Sequence, residues 1–125
     1  MTRDGVAQRH VADTHGGQGL PPDVLQHAAA TFGLLASAMR LNIIWVLTQG
    51  EADVGTLAEL TGGTVQAVSQ HLAKLKLAGL VRSRREGRHQ VYLVADPQLT
   101  ELVRQMVHGL PSGRPGRGSA GAGGV

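Results

Sequence analysis

The chain has 125 residues, with 12 Lys and Arg against 9 Asp and Glu, so its net charge is +3; it contains no cysteine. The absence of cysteine excludes disulfide bonds, thiolate zinc sites and cysteine-based redox sensing. No run of 18 apolar residues is present, and the N-terminus lacks the apolar stretch of a secretory signal, so we expect a cytoplasmic protein that does not enter a membrane.

The two ends of the chain differ in composition from its middle. Residues 1–20 show no apolar periodicity, and residues 111–125 are mostly Gly, Pro, Ser and Arg. We predict a disordered N-terminal arm and a disordered C-terminal tail. The remaining residues, 21–110, have the length of one small domain.

The first predicted helix runs from Pro22 to Ser37 and is followed by a helix over Met39–Leu47. The second of these is apolar around most of its circumference, as expected of a central core helix. The first is amphipathic, with a single apolar stripe made of Val24, Leu25, Ala28, Phe32 and Leu35.

A helix-turn-helix pattern follows. A short helix over Asp53–Leu60, with Val54, Leu57 and Ala58 inward, is followed by the tight turn Thr61-Gly62-Gly63. Thr64 is placed to cap the next helix. A buried stripe at helical spacing is then predicted from Val65, Val68, Leu72 and Leu75.

The opposite face of this helix is polar. Gln and Ser can hydrogen-bond to base edges, and Lys suits phosphate, so this face is a candidate for DNA recognition. Any solvated helix can carry such residues, and for this helix alone a solvated face remains an equal alternative. The residues concerned are Gln66, Ser69, Gln70 and Lys74.

After Ala78-Gly79 the sequence predicts a β-hairpin, with strands over Leu80–Arg85 and His89–Val94 joined by a turn at Glu86-Gly87-Arg88. Residues 64–94 contain six Lys and Arg but one acid, a local charge of +5. Such a concentration is typical of binding to a polyanion, although a solvated edge hairpin protected from aggregation remains the alternative. The hairpin arginines suit phosphate or the minor groove; they are Arg82, Arg84, Arg85 and Arg88.

The last predicted helix carries a second apolar stripe, formed by Leu99, Leu102, Val103, Met106, Val107 and Leu110. The core helix can cover only part of both stripes, so we expect the first and last helices to pair with their symmetry mates in a homodimer. A dimer would place two recognition helices roughly 34 Å apart on a palindromic operator. A monomer with an ordinary core is the alternative. The predicted dimer contacts are Leu25, Ala28, Phe32, Leu99, Leu102, Val103 and Met106.

The segments VSQHLAKLKLAGLVRSRREGRHQVYLV and ASAMRLNIIWVLTQGE are similar to the recognition helix, wing and preceding helix of the ArsR/SmtB metalloregulators. The resemblance covers Pro22 to Leu110. It implies a mainly α fold with a small β-hairpin (α+β), a winged helix-turn-helix of order α-α-α-α-β-β-α, and a homodimeric regulator of double-stranded operator DNA whose affinity a metal often controls. The family's base-reading positions correspond to Val65, Gln66, Ser69 and Gln70, with His71 and Lys74 nearby; His71 either contacts DNA or packs the helix.

The resemblance weakens at the family's metal sites. The Cys-x-Cys pair is absent from Glu51–Thr56, and the last-helix site retains only Asp96 and a His108 displaced by about one residue. Imidazole is a suitable ligand for divalent nickel, zinc, cobalt or copper. We expect nickel first among these as the effector, because the chain most resembles the nickel- and cobalt-responsive members of the family. The candidate ligands are His108, His27, Asp96, His10 and His15.

Catalysis is not expected. Ser69, Gln70 and His71 face different directions on a helix, and the chain has no cysteine nucleophile, phosphate-binding glycine loop or HExxH motif. The sequence therefore predicts a sequence-specific transcriptional regulator. The alternatives are a winged-helix regulator that ignores metals, or a winged-helix module that binds protein and would have lost the polar, basic face.

Overall fold

The computed structural model describes residues 17–111. The predicted arm (1–20) and tail (111–125) therefore lie almost wholly outside the described residues, and so do His10 and His15. In chain order, the helices and strands are α1 (Pro22–Leu35), α2 (Ala38–Gln49), β1 (Ala52–Asp53), α3 (Val54–Thr61), α4 (Val65–Leu77), β2 (Val81–Glu86), β3 (His89–Val94) and α5 (Pro97–Gly109).

The predicted α+β class is confirmed, but the sheet has one strand more than the predicted hairpin. β1 pairs antiparallel with β3, Ala52 opposite Tyr92 and Asp53 opposite Val91, which gives the strand order β1-β3-β2. The predicted start of the third helix at Asp53 was therefore wrong by one residue. Asp53 ends the strand and caps α3 instead, because its Oδ1 accepts the backbone N–H of Thr56 at 2.8 Å.

Side-chain caps also define where other helices begin. Ser37 was predicted as the end of the first helix, but α1 ends at Leu35 and the Ser37 hydroxyl accepts the backbone N–H of Arg40 at the start of α2. Thr64 caps α4 as predicted, with its hydroxyl 3.0 Å from the backbone nitrogen of Ala67. These caps satisfy N–H groups that have no partner within their own helices.

The chain divides into two compact units, residues 1–33 and residues 34–125. The core of the second unit is made by α2, α3, α4 and α5 together with the sheet. As expected of a core helix, α2 buries two adjacent isoleucines completely. The fully buried large side chains are Ile43, Ile44, Leu57, Val68, Leu72, Leu75, Val81 and Val103.

Two predicted assignments of apolar residues were wrong. Val65 is 56% exposed, because the first turn of α4 from Thr64 to Gln66 projects into solvent rather than onto the core. Leu99 and Val103 were predicted to contact a second copy but lie in the core of their own chain. One side of the apolar stripe of α5 packs into the core, and the other side faces solvent. Of the six residues in the stripe, Leu102, Met106 and Leu110 are the exposed ones.

Between residues 17 and 111 no single helix is long and apolar enough to cross a membrane. α1 and α2 meet the requirement of length and composition only when taken together as a bent pair.

Candidate nucleic-acid interface

The outer face of α4 is exposed along its whole length. Val68, Leu72 and Leu75 are fully buried on the opposite side, so that side of the helix faces the core. The predicted polar residues consequently face solvent: Gln66, Ser69, Gln70 and Lys74. The four lie on a convex helical surface with the size and polarity needed to enter a major groove.

The turn before α4 is sterically tight. Gly62 ends α3 in the left-handed conformation with φ 77°, which favours glycine. A Cβ at Gly63 would lie 3.0 Å from Cε of Met39 and 3.3 Å from a methyl of Val68. α3, α4 and the beginning of α2 therefore pack closely at this point, and the close packing holds the N-terminus of α4 in a defined direction.

The wing is a regular hairpin of β2 and β3. Val81 pairs with Val94 at its open end, and Glu86 pairs with His89 beside the turn. Gly87 in its turn has φ 61°, which confirms the prediction of a glycine with positive φ. Ser83 connects the wing to α4, because its hydroxyl receives hydrogen bonds from Lys76 Nζ at 2.7 Å and from Gln90 Nε2 at 3.0 Å.

The wing arginines are not equivalent. Arg84 Nη2 lies 2.6 Å from Glu51 Oε1 and 2.7 Å from Glu86 Oε2. The hydrogen bonds that Arg84 donates to Glu51 and, less strongly, to Glu86 raise the pKa of Arg84, and the bond to Glu51 lowers the pKa of that carboxyl group. Within residues 17–111, by contrast, no ion pair joins Arg85 or Arg88 to a carboxylate.

A second contact holds the wing beside β1. His89 Nδ1 lies 3.3 Å from Asp53 Oδ2. The pKa of Asp53 is lowered chiefly by the hydrogen bond from the backbone N–H of Thr56, with a smaller contribution from His89. His89 is mostly exposed to solvent, and this contact joins β3 to the residue that caps α3. Arg84 and His89 thus attach the wing to the rest of the domain.

The structure adds detail on two residues of α4; for His71 it favours packing, one of the two expected roles, over DNA contact. His71 is half-buried and its Nδ1 lies 3.3 Å from Arg40 Nη1, so its ring is directed towards α2 rather than outwards. Leu77 is 92% exposed and was not predicted as part of the face. It follows Gln66 by eleven residues and Gln70 by seven, spacings that put all three on one side of a helix, so a full helical projection could have identified it.

The candidate metal ligands that lie within residues 17–111 do not form a site within one chain. Asp96 caps the first turn of α5, where its Oδ1 accepts the N–H of Gln98 at 2.9 Å. His108 lies twelve residues further along, about 18 Å at 1.5 Å per residue. Asp96 and His108 of the same chain are therefore too far apart to hold one ion together, and a site that uses both would need two chains. No group of three or more His, Asp or Glu able to hold a metal occurs in residues 17–111.

His108 instead contacts an aromatic ring. Its imidazole stands edge-on to Trp45, with ring centroids 5.8 Å apart and planes at 88°. The contact joins the last turn of α5 to α2. His27, on α1, is exposed.

Comparison with known proteins agrees with this architecture. A helix-turn-helix domain family matches residues 35–84. The HTH-type transcriptional regulator KmtR of Mycobacterium tuberculosis is 38% identical over 97 residues, which cover 78% of this chain and 75% of that protein.

Solved structures of the same kind are also similar. One is the homodimeric winged helix-turn-helix DNA-binding domain of Mb0332 from Mycobacterium bovis, described as a possible ArsR-family transcriptional regulator; it shares 33% identity and a TM-score of 0.64, over 72% of this chain and 86% of that one. Another is NolR from Sinorhizobium fredii, with 30% identity and a TM-score of 0.63, over 73% of this chain and 94% of that one. The names describe regulators and not enzymes, in agreement with the prediction that the chain is not a catalyst. The chain belongs to the ArsR/SmtB family of winged helix-turn-helix, DNA-binding transcriptional regulators.

Proposed function

We propose that the chain binds a palindromic operator as a homodimer, with α4 in the major groove and the tip of the wing on the adjacent backbone or minor groove. The observation that carries this proposal is the exposed polar face of α4 beside a basic wing, in a segment of net charge +5. A regulator that acts on such DNA would work in the cytoplasm. A winged-helix module that binds protein would have no need of this charge.

The proposed roles on α4 follow from donor and acceptor chemistry. Gln66 and Gln70 can each form paired hydrogen bonds with the N6 and N7 atoms of an adenine, and Ser69 can donate to or accept from a base edge. The exposed methyl groups of Val65 can contact the methyl group of a thymine. Lys74 suits a phosphate, and Thr64 positions the first turn through its cap.

The wing contributes affinity more than sequence preference in this proposal. Arg85 and Arg88 are exposed near the turn, with no carboxylate partner among the residues that the structure describes, and we assign them to phosphate or minor-groove contact. Arg84 is held between Glu51 and Glu86, so we reassign it from DNA contact to support of the wing.

Replacing Arg85 and Arg88 with Gln tests the assignment of the wing. Each phosphate contact that is lost should reduce the slope of log K against log salt by about 0.9. We therefore expect weaker binding to every duplex and a flatter salt dependence, measured by fluorescence anisotropy between low and physiological salt. Arg104→Gln removes a cation from α5, where Arg104 bonds to the carbonyl of Thr48, and serves as the control. Equal slopes for the double variant and this control would contradict the assignment.

The homodimer is proposed from the exposed apolar side chains of α1 and α5. Leu25 is 52% and Phe32 58% exposed, and on α5 Leu102 and Met106 are 45% and 44% exposed. Apolar side chains exposed at this density along a helix are typical of a surface that a second copy covers, and α1 and α5 each show this feature. The solved domain of Mb0332 is described as homodimeric, which supports the same arrangement here.

We further propose that a divalent metal ion, nickel before zinc or cobalt, regulates operator binding through a site shared between two chains and centred on His108. Antiparallel α5 helices in a dimer would bring Asp96 of one copy towards His108 of the other. His27, His10 and His15 are the candidates to complete the site. Imidazole and carboxylate are suitable ligands for these ions. The alternative is a regulator that responds to no metal.

His108→Ala tests the metal proposal. Removing a ligand should weaken nickel binding to the chelator-treated protein about ten-fold or more, measured by isothermal titration calorimetry. Trp45 is the only tryptophan and touches His108, so its emission should change with nickel in the natural protein but not in the variant. His89→Ala on the wing is the control. Unchanged stoichiometry and affinity in His108→Ala would count against this site.

A further inference from the structure

One guanidinium connects three helices of the domain. Arg40 Nε donates to the carbonyl of Leu34 in the last turn of α1 at 2.8 Å, and Arg40 Nη1 lies 3.3 Å from Nδ1 of His71 on the side of α4. The backbone N–H of the same residue is capped by Ser37. Arg40 is partly buried, so these contacts are shielded from full exposure to water.

The chemistry of the two side chains fixes the direction of the hydrogen bond. A guanidinium can only donate, so Nδ1 of His71 accepts and the proton of the neutral ring is on Nε2. The carbonyl of Leu34 is one of the last four of α1 and has no partner within its own helix. Arg40 therefore satisfies a helix end on one side and holds a ring of α4 on the other.

The stability of α2 does not explain an arginine at this position. Arg40 is the third residue of α2, where the positive end of the helix dipole disfavours a cation. The favourable interactions of its guanidinium are those with two groups outside α2, the Leu34 carbonyl at the C-terminal end of α1 and the His71 ring. The contacts to these neighbours therefore account for the residue.

We propose that Arg40 is a positioning residue for DNA recognition, which fixes the rotation of α4 through His71. This inference rests on the proposed function of α4. His71 follows Gln70 directly, about 100° around the helix, so holding the ring also sets the direction of Gln70. A rotation of about 20° moves side-chain tips at a radius of about 5 Å by about 2 Å, more than a hydrogen bond to a base tolerates.

The test compares Arg40→Gln, His71→Leu, their double variant and His71→Asn, whose side-chain oxygen lies near the position of Nδ1. The affinity of each full-length protein for operator DNA and for a scrambled duplex is measured by anisotropy. Losing one such hydrogen bond should lower the ratio of the two affinities about five-fold in each of the first two variants. The double variant should lose no more than either single change, and His71→Asn should retain most of the ratio.

Other roles of Arg40 give different results. A phosphate contact would reduce the salt slope in Arg40→Gln and leave the ratio unchanged, and additive losses in the double variant would show that the two residues act separately; either result overturns the inference. If Arg40→Gln does not fold, as judged by thermal unfolding, the comparison of His71→Leu with His71→Asn decides. A natural protein with no preference for its operator would refute the proposed function itself, and this inference with it.

Discussion

Alanine at Gln66, Ser69 and Gln70 together is expected to abolish the preference of the chain for its operator while leaving the fold intact. All three side chains are exposed on the outer face of α4. Each paired hydrogen bond to a correct base is worth about 1–3 kcal/mol, so losing two of them should lower operator affinity by about two orders of magnitude. The electrostatic contribution of the wing remains, and binding to scrambled DNA should change little.

The triple variant should be at least as stable as the natural chain, because alanine favours helix more than glutamine or serine does. Thermal unfolding by circular dichroism checks this expectation, and anisotropy with operator and scrambled duplexes measures the preference. Gln105→Ala provides the control, since it removes a glutamine from α5. Operator selectivity that survives the triple substitution would refute the assignment of α4 as the recognition helix.

Met106→Glu is expected to separate the proposed homodimer into folded single chains and to reduce operator affinity by more than two orders of magnitude. Met106 is 44% exposed, so the substitution leaves the core of its own chain unchanged. In a symmetric interface the same change occurs twice, and each carboxylate would lose its hydration without gaining a cation, at a cost of several kcal/mol. Each separated chain could then bind only one half-site.

Sedimentation velocity measures the state of association, and anisotropy measures operator binding on the same samples. Leu102→Glu, at the neighbouring exposed position of α5, should behave like Met106→Glu. Leu60→Glu is the matched control, because Leu60 is an exposed leucine on α3, outside the two helices proposed to pair. Dimers that persist in both α5 variants would place the interface elsewhere.

Local patterns in the sequence were sufficient for most of the fold. The apolar spacing of Val68, Leu72 and Leu75 gave the buried side of α4, and Gly87 gave the turn of the wing. Strand β1 has two residues, too few to show an alternating pattern, and it exists only through its pairing with β3. Its detection requires the tertiary structure.

The features of the site that the sequence did not predict also depend on contacts between residues that are far apart in the chain. Counting charges on the wing could not distinguish Arg84 from Arg85, since the partner Glu51 lies 33 residues earlier in the chain. Leu99 and Leu102 belong to one apolar stripe, but only the packing of α5 shows that the first is buried in the chain's own core. Similarly, Arg40 and His71 meet across 31 residues, and neither residue alone indicates the contact.

The most direct test of the account is a titration of the purified, full-length chain onto DNA from upstream of its own gene, followed by anisotropy at several salt concentrations beside a scrambled duplex. We predict saturable binding by two chains per site, an affinity for the upstream DNA at least about a thousand-fold higher than for the scrambled duplex, and a steep loss of affinity as the salt concentration rises. Equal affinity for the two duplexes, at every salt concentration and with or without nickel, would contradict it.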